Sequence, residues 1–137
     1  MIIANSNQVH NTREIVLKVR EFKNKNEKMF SEMCKREEKL VREALSTLKE
    51  NDLNKLGSLI SENQKLLEKI NVSTSRLDLL IKEASETSYG AKITGAGGGG
   101  CIISLVDESN ASATLENLKK NSDCFIAKID FDGLSYL

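Results

Sequence analysis

Residues 91–106 read Ala-Lys-Ile-Thr-Gly-Ala-Gly-Gly-Gly-Gly-Cys-Ile-Ile-Ser-Leu-Val. Five of the chain's eight glycines lie here, at Gly95 and Gly97–Gly100, between two runs that favour β-strands. Glycine has no Cβ and reaches positive φ cheaply, so such a loop can turn several backbone N–H groups towards one phosphate. Four consecutive glycines also cost backbone entropy, which favours a loop with a task. We therefore predict an anion-facing loop, with a ligand-free glycine hairpin as the alternative.

Two common phosphate motifs fit the glycines only in part. The spacing Gly95-x-Gly97-x-x-Gly100 satisfies the dinucleotide pattern, but that loop must open a helix, and Ile102 and Ile103 indicate a strand. The triphosphate pattern needs Lys and then Ser or Thr after its last glycine, and this chain has Cys101-Ile102. The loop is therefore predicted to join one strand to the next.

The composition predicts one domain, residues 1–137, because 137 residues with 39% apolar content can bury one ordinary core. Twenty basic and twenty acidic residues are interleaved, which argues against a nucleic-acid or membrane partner. Three cysteines, an odd number without paired spacing, argue against a disulfide framework and a zinc site. We expect a reducing, cytoplasmic location and no metal ligand in the chain.

Periodicity predicts nine elements. Strands are expected at 2–5, 91–95, 101–106 and 124–130, and helices at 12–23, 27–50, 53–70, 74–87 and 110–120. This order predicts an α+β fold, a ferredoxin-like split βαβ antiparallel sheet with helices on one face and extra helices inserted in the first crossover. The second helix is expected to pack through a stripe formed by Met29, Met33, Val41, Ala44, Leu45 and Leu48.

Two polar positions have open interpretations. Asn63 interrupts the apolar stripe of the third helix, where it either fixes helix register or belongs to a pocket. Lys92 flanks the glycine loop on the same predicted strand face as Thr94, and it either touches phosphate or is solvated or structural. His10 is the single histidine, and we expect it to be a surface side chain.

The string 92–101 resembles the third conserved motif of the GHMP kinases, which include galactokinase, homoserine, mevalonate and phosphomevalonate kinases, and its wording is closest to the mevalonate kinases. Residues 2–5 with Asn11-Thr12-Arg13-Glu14 look like the strand, turn and helix that open the C-terminal half of those enzymes. The segment Glu62-Asn63-Gln64 with Leu66-Leu67 is similar to the part that leads into their glycine loop. The resemblance covers most of the chain.

This resemblance implies a C-terminal domain that works with an N-terminal ATP-binding domain. The family's proline-containing ATP loop, its catalytic Asp segment and its N-terminal Lys have no match here, and the chain has no proline. We therefore expect no catalytic residue in this chain, an isolated chain that is inactive, and ATP with Mg²⁺ bound mainly by the N-terminal domain. A homodimer is a further partner that the family implies.

The same resemblance implies roles for two groups of residues. An ATP phosphate loop would consist of Gly95, Gly97, Gly98, Gly99 and Gly100, and the acceptor would lie near Thr12, Thr94 and Ala96. Thr12 would face the acceptor from a helix N-terminus, which favours anions, or else be a plain helix cap; Thr94 would be a ligand contact or structural.

The implied reaction moves the γ-phosphate of ATP to the 5-hydroxyl of mevalonate, in isoprenoid and sterol precursor synthesis within lipid metabolism. The alternatives are phosphomevalonate or homoserine kinase activity, or a non-catalytic anion-binding or assembly module.

Overall fold

The structure is a computed structural model that describes residues 1–131 and 133. Its elements in chain order are β1 (Ile2–Asn5), α1 (Thr12–Lys25), α2 (Glu27–Glu50), α3 (Leu53–Lys69), α4 (Ser75–Ser85), β2 (Gly90–Ile93), β3 (Cys101–Leu105), α5 (Ala111–Lys119) and β4 (Asp123–Ile126). The predicted single domain 1–137 also includes residues 132 and 134–137, which lie outside the described part of the chain.

The four strands form one sheet in the order β2-β3-β1-β4, and every neighbouring pair is antiparallel. Ile3 lies opposite Ile103 on one side and opposite Phe125 on the other, which fixes the register of the two central strands and β4. The ferredoxin-like split βαβ prediction is therefore confirmed, with α1–α4 in the first crossover and α5 in the second.

The main core lies between one face of the sheet and the helices α4 and α5. Alternate residues of each strand point to this face, because side chains alternate along a strand. Its fully buried members include Ile2, Ala4, Ile93 and Ile102 from the sheet, Leu77, Leu80 and Ala84 from α4, and Leu118 from α5. Burial of such side chains contributes roughly 1.5–3 kcal/mol each, so this layer holds the strands that flank the glycine loop.

Helix α3 runs beside the edge strand β2 and satisfies its free hydrogen-bonding edge. The Ile93 N–H donates to Oε1 of the buried Gln64 side chain over 3.0 Å. Two glycines permit the close approach: a Cβ at Gly57 would lie 2.0 Å from the Tyr89 carbonyl oxygen, and a Cβ at Gly90 would lie 2.2 Å from that of Gly57. Neither glycine stands out in the sequence, because the contact joins segments more than 30 residues apart.

The apolar stripe predicted for α2 is wrong in its composition. Val41, Leu45 and Leu48 are each about 60% exposed, whereas Leu40 and Thr47 are buried. Thr47 tolerates burial because its hydroxyl donates to the Glu43 carbonyl oxygen over 2.8 Å. A pattern that counts only apolar residues misses a polar side chain satisfied within its own helix.

Two element ends also differ from the prediction. The last strand stops at Ile126 rather than at residue 130, and β2 ends at Ile93, before the predicted residue 95. Among the described residues, no helix combines the length and the apolar character needed to cross a membrane.

We predict that Gly57→Ala lowers the free energy of unfolding, although alanine normally favours a helix over glycine by about 1 kcal/mol. The added methyl group would collide with the backbone of Tyr89, and such overpacking costs typically about 1–3 kcal/mol. Urea unfolding followed by circular dichroism measures the change. Ser58→Ala, at the exposed neighbouring position of α3, is the control and should change stability little. A stabilised Gly57→Ala protein would contradict the close contact of α3 with β2.

Candidate functional site

The glycine loop, residues 94–100, joins β2 to β3 and is closed by a hydrogen bond from the Thr94 N–H to the Cys101 carbonyl oxygen over 3.0 Å. The predicted strand-to-strand connection is therefore confirmed. The loop is fastened to two other segments: Gly98 N–H donates to the Val72 carbonyl oxygen over 2.7 Å, and Gly100 N–H donates to that of Gln8 over 3.3 Å. These bonds seat the loop on the segment that leads into α1.

The loop glycines are needed first for this internal packing. A Cβ at Gly97 would lie 2.3 Å from the Val72 carbonyl oxygen, and a Cβ at Gly99 would lie 2.5 Å from that of Gln8. A Cβ at Gly95, in contrast, would meet nothing within 4 Å. All five glycines have positive φ, which L side chains rarely adopt. The loop thus presses bare backbone against the domain on one side.

The N–H groups of the loop fall into two sets. Those of Gly98 and Gly100 donate within the chain, so they do not face a ligand as we expected of successive amides. Those of Gly95, Ala96, Gly97 and Gly99 donate to no acceptor in residues 1–131. Gly97 and Gly99 are buried, and a buried N–H without an acceptor is rare in proteins. These unused donors are the feature of the loop that fits an anion.

The N-terminal end of α1 lies next to the loop. A Cβ built at Gly98 would approach the Cδ1 of Ile15, in the first turn of α1, to 2.4 Å. Asn11 is the helix cap, because its side-chain oxygen accepts from the Arg13 N–H over 3.0 Å. The alternative role of Thr12 as a plain cap is therefore wrong. Thr12 is exposed, and its hydroxyl forms no hydrogen bond with the described residues.

The connection between β1 and α1 is held in place by three hydrogen bonds. The Ser6 N–H donates to the Gly100 carbonyl oxygen over 2.8 Å, and the Ser6 hydroxyl accepts from the Gln8 N–H over 3.3 Å. The Thr74 hydroxyl donates to the Gln8 side-chain oxygen over 2.8 Å, which ties the start of α4 to the same connection. The loop, the first helix and α4 are therefore positioned together.

Sequence reasoning missed the position of His10. Its ring carbon Cε1 lies 3.2 Å from a Cβ built at Gly100, so the imidazole lies against the glycine loop. His10 is exposed, as predicted, and its position at the loop depends on the fold of the connection before α1. No spacing in the sequence links residue 10 to residue 100.

Lys92 and Thr94 do not share a surface in the way that strand alternation suggested. Thr94 is exposed at the start of the loop, beyond the end of β2. Lys92 instead lines the space between α2 and α3, together with Asn63 and Glu37. Burial lowers the pKa of the Lys92 ammonium, and the charge of Glu37 partly opposes this effect. Asn63 thus belongs to a pocket, but away from the glycine loop.

The described residues contain no group of three His, Cys, Asp or Glu side chains placed to hold a metal ion. The site that they do form is a strand-to-strand glycine hairpin, with unused N–H donors, seated at a helix N-terminus on an antiparallel α+β scaffold. These features are those of the C-terminal domain of a small-molecule kinase. The chain belongs to the family described as GHMP kinases C terminal, whose model matches residues 41–124.

Curated relatives include the mevalonate kinase of Methanocaldococcus jannaschii, which is 45% identical over 64 residues, or 47% of this chain and 20% of the relative. The mevalonate kinase of Aeropyrum pernix is 28% identical over 135 residues, covering 97% of this chain and 42% of the relative. The galactokinase of Pyrococcus furiosus is 42% identical over 86 residues, covering 61% of this chain and 24% of the relative. The chain thus spans less than half the length of these relatives.

Solved structures give the same fold. The mevalonate kinase of Methanococcus jannaschii superimposes with a TM-score of 0.77 at 33% identity, covering 90% of this chain and 37% of that one. Leishmania major mevalonate kinase, in complex with R-mevalonate, gives 0.81 at 24% identity, with coverage of 87% and 37%. Streptococcus pneumoniae phosphomevalonate kinase, in complex with phosphomevalonate and AMPPNP, gives 0.74 at 20% identity, with coverage of 87% and 35%. The last two are similar in fold.

We predict that Gly97→Ala destabilises the chain more than Gly95→Ala does. Both glycines have φ of +82°, so both substitutions introduce the same backbone strain, about 1–2 kcal/mol. Only Gly97→Ala adds a collision with the Val72 carbonyl oxygen, which should cost a further 1–3 kcal/mol, roughly. Urea unfolding of the two variants gives the difference directly. Equal losses would show that the loop does not rest on Val72.

Proposed function

We propose that this chain forms one wall of the active site of an ATP-dependent mevalonate kinase. In this proposal the γ-phosphate of ATP passes to the 5-hydroxyl of mevalonate, in cytoplasmic synthesis of isoprenoid and sterol precursors. The observation that carries the proposal is the glycine loop at the N-terminal end of α1, with the N–H groups of Ala96, Gly97 and Gly99 unused. Membership of a kinase family gives the class of reaction.

Phosphoryl transfer suits such a wall because the reaction needs little covalent help from the protein. Most of the acceleration comes from positioning the two substrates and from stabilising charge on the transferred group. In the proposal, the N–H groups of Gly97 and Gly99 donate to phosphate oxygens, either of ATP or through the loop that wraps it. The rigid seat on Val72 and Gln8 keeps these donors in place before the substrate arrives.

The acceptor alcohol is proposed to lie between Ala96 and the start of α1. A helix N-terminus carries partial positive charge, so the mevalonate carboxylate would be favoured near Thr12, whose hydroxyl is exposed and unpaired in the described chain. The exposed Thr94 would border the same space. The half-buried Ala96 leaves room for a substrate that a larger side chain would displace.

ATP would bring the phosphoryl group and Mg²⁺ would neutralise part of its charge. The free amides of the loop fit the phosphates. We assign no residue of this chain to the metal, because the described residues offer no cluster of ligands for it. The N-terminal domain of the proposed enzyme therefore supplies the Mg²⁺ ligands and the catalytic groups, and the chain alone is expected to be inactive.

Other acceptors within the family are the main alternative. The Pyrococcus furiosus galactokinase matches 61% of this chain, and phosphomevalonate kinase shares its fold. The Aeropyrum pernix mevalonate kinase matches 97% of the chain, including the segment before α1, and this longer match favours mevalonate. Homoserine kinase activity, or a non-catalytic anion-binding or assembly role, would place the same loop in another context.

The test is a chimera in which this chain replaces the matching segment of the M. jannaschii mevalonate kinase. We expect the chimera to phosphorylate mevalonate with ATP, and we expect Ala96→Thr in it to raise the KM for mevalonate about tenfold, the effect of losing about 1.4 kcal/mol of binding. A coupled assay for ADP with mevalonate, phosphomevalonate, homoserine and galactose measures both. The control is Ala113→Thr, the same exchange at an exposed position of α5.

Turnover of another alcohol in preference to mevalonate would contradict the proposed acceptor. A folded chimera that binds ATP and mevalonate without turnover would favour the assembly module. Equal KM values for Ala96→Thr and Ala113→Thr would remove the loop from the acceptor site.

A further inference from the structure

A second candidate site lies between α2 and α3, in a space that we call the helical cleft. Two cavities meet there and share the side chains of Glu37, Asn63 and Lys92. The first cavity has a volume of about 170 Å³ and is otherwise lined by Leu40, Val41, Ala44, Leu56, Leu59 and Ile60. The second has a volume of about 290 Å³ and is otherwise lined by Phe30, Met33, Cys34, Leu66, Leu67 and Ile70. The cleft is thus apolar around a polar centre.

The Lys92 ammonium is a cation without a close partner. Lys92 is half-buried, and in the part of the chain that the structure describes its ammonium forms no hydrogen bond and no ion pair within 4 Å. Glu37 acts on it only at longer range. A charge taken out of water without an acceptor is unfavourable, so the ammonium is suited to an anionic group that enters the cleft.

Asn63 provides the complementary feature. Its amide nitrogen donates to the Glu37 carboxylate, which can only accept, and this bond fixes which end of the amide is the oxygen. That oxygen, Oδ1, is buried and receives no hydrogen bond from the described residues. A buried acceptor without a donor is uncommon in native proteins. The cleft therefore offers one unused cation and one unused acceptor side by side with a carboxylate.

We propose that the helical cleft binds a small aliphatic zwitterion of the α-amino acid type. The ligand carboxylate accepts from the Lys92 ammonium, the ligand ammonium donates to Asn63 Oδ1 beside Glu37, and a branched side chain fills the aliphatic cavity. Glu37 and Lys92 carry opposite charges, so a ligand with no net charge complements the cleft better than a simple acid or a simple amine. An apolar pocket with a few convergent polar groups is the usual form of a small-molecule site.

This site is separate from the glycine loop. No residue of the loop lines either cavity of the cleft, so binding there neither requires nor tests the proposed kinase reaction. Lys92 connects the two regions, since β2 carries it only two positions before the loop begins.

The test uses L-leucine as the probe in an NMR titration of the ¹⁵N-labelled 137-residue chain. Isovalerate, which lacks the ammonium, and isoamylamine, which lacks the carboxylate, are the matched half-ligands. We expect saturable shifts at the amides of Asn63 and Lys92, and binding of leucine about tenfold tighter than of either half-ligand, as expected for one hydrogen bond to a charged group. No saturable shift with L-leucine, or equal affinity for isovalerate, would overturn the proposal.

Two variants separate the cleft from a general effect. Lys92→Met keeps an unbranched side chain, removes the charge and should weaken leucine binding about tenfold, while Lys82→Met at an exposed position of α4 should leave it unchanged. Glu37→Gln, which still accepts from Asn63, should weaken leucine binding but not isovalerate binding. Unchanged leucine affinity in Lys92→Met, or shifts centred on residues 94–100, would contradict the assignment.

Discussion

The seating of the glycine loop on the segment before α1 is the constraint on which the rest of the structure depends. Gly98 donates to Val72 and Gly100 donates to Gln8, so the loop is held between the end of α3 and the start of α1. These contacts are possible because bare backbone meets backbone: a Cβ at Gly97 or Gly99 would fall within 2.5 Å of a carbonyl oxygen. The glycines therefore fix the loop before they serve any ligand.

This constraint divides the work within the loop. Two amides hold it in place, and those of Ala96, Gly97 and Gly99 remain without protein acceptors in the described chain. Donors that are fixed before a ligand arrives lose little freedom on binding, which is what stabilisation of a charged phosphoryl group requires. The sheet supports this arrangement, because α4 and α5 pack on one face of it and α3 closes the free edge of β2 through Gln64. Fold and proposed function are thus linked through backbone geometry.

The sequence predicted the element order, the strand-to-strand hairpin and the family, because periodicity and the glycine string are local signals. It could not predict contacts between distant segments. Gly57 and Gly90 permit the approach of α3 to β2, and His10 rests against the glycine loop, yet no local pattern marks any of them. The stripe of α2 was misassigned because Thr47 is satisfied inside its own helix and can be buried. The role of Lys92 was missed since helices, and not the strand itself, decide what covers it.

The most direct measurement of the central claim is an NMR titration of the ¹⁵N-labelled chain with inorganic pyrophosphate, resolved at the amides of the glycine loop. The account predicts saturable downfield shifts of the Ala96, Gly97 and Gly99 amide protons. The amides of Gly98 and Gly100, which already donate to Val72 and Gln8, should move much less. Shifts confined to Lys92 or to other lysines, with the amides of Ala96, Gly97 and Gly99 unmoved, would contradict it.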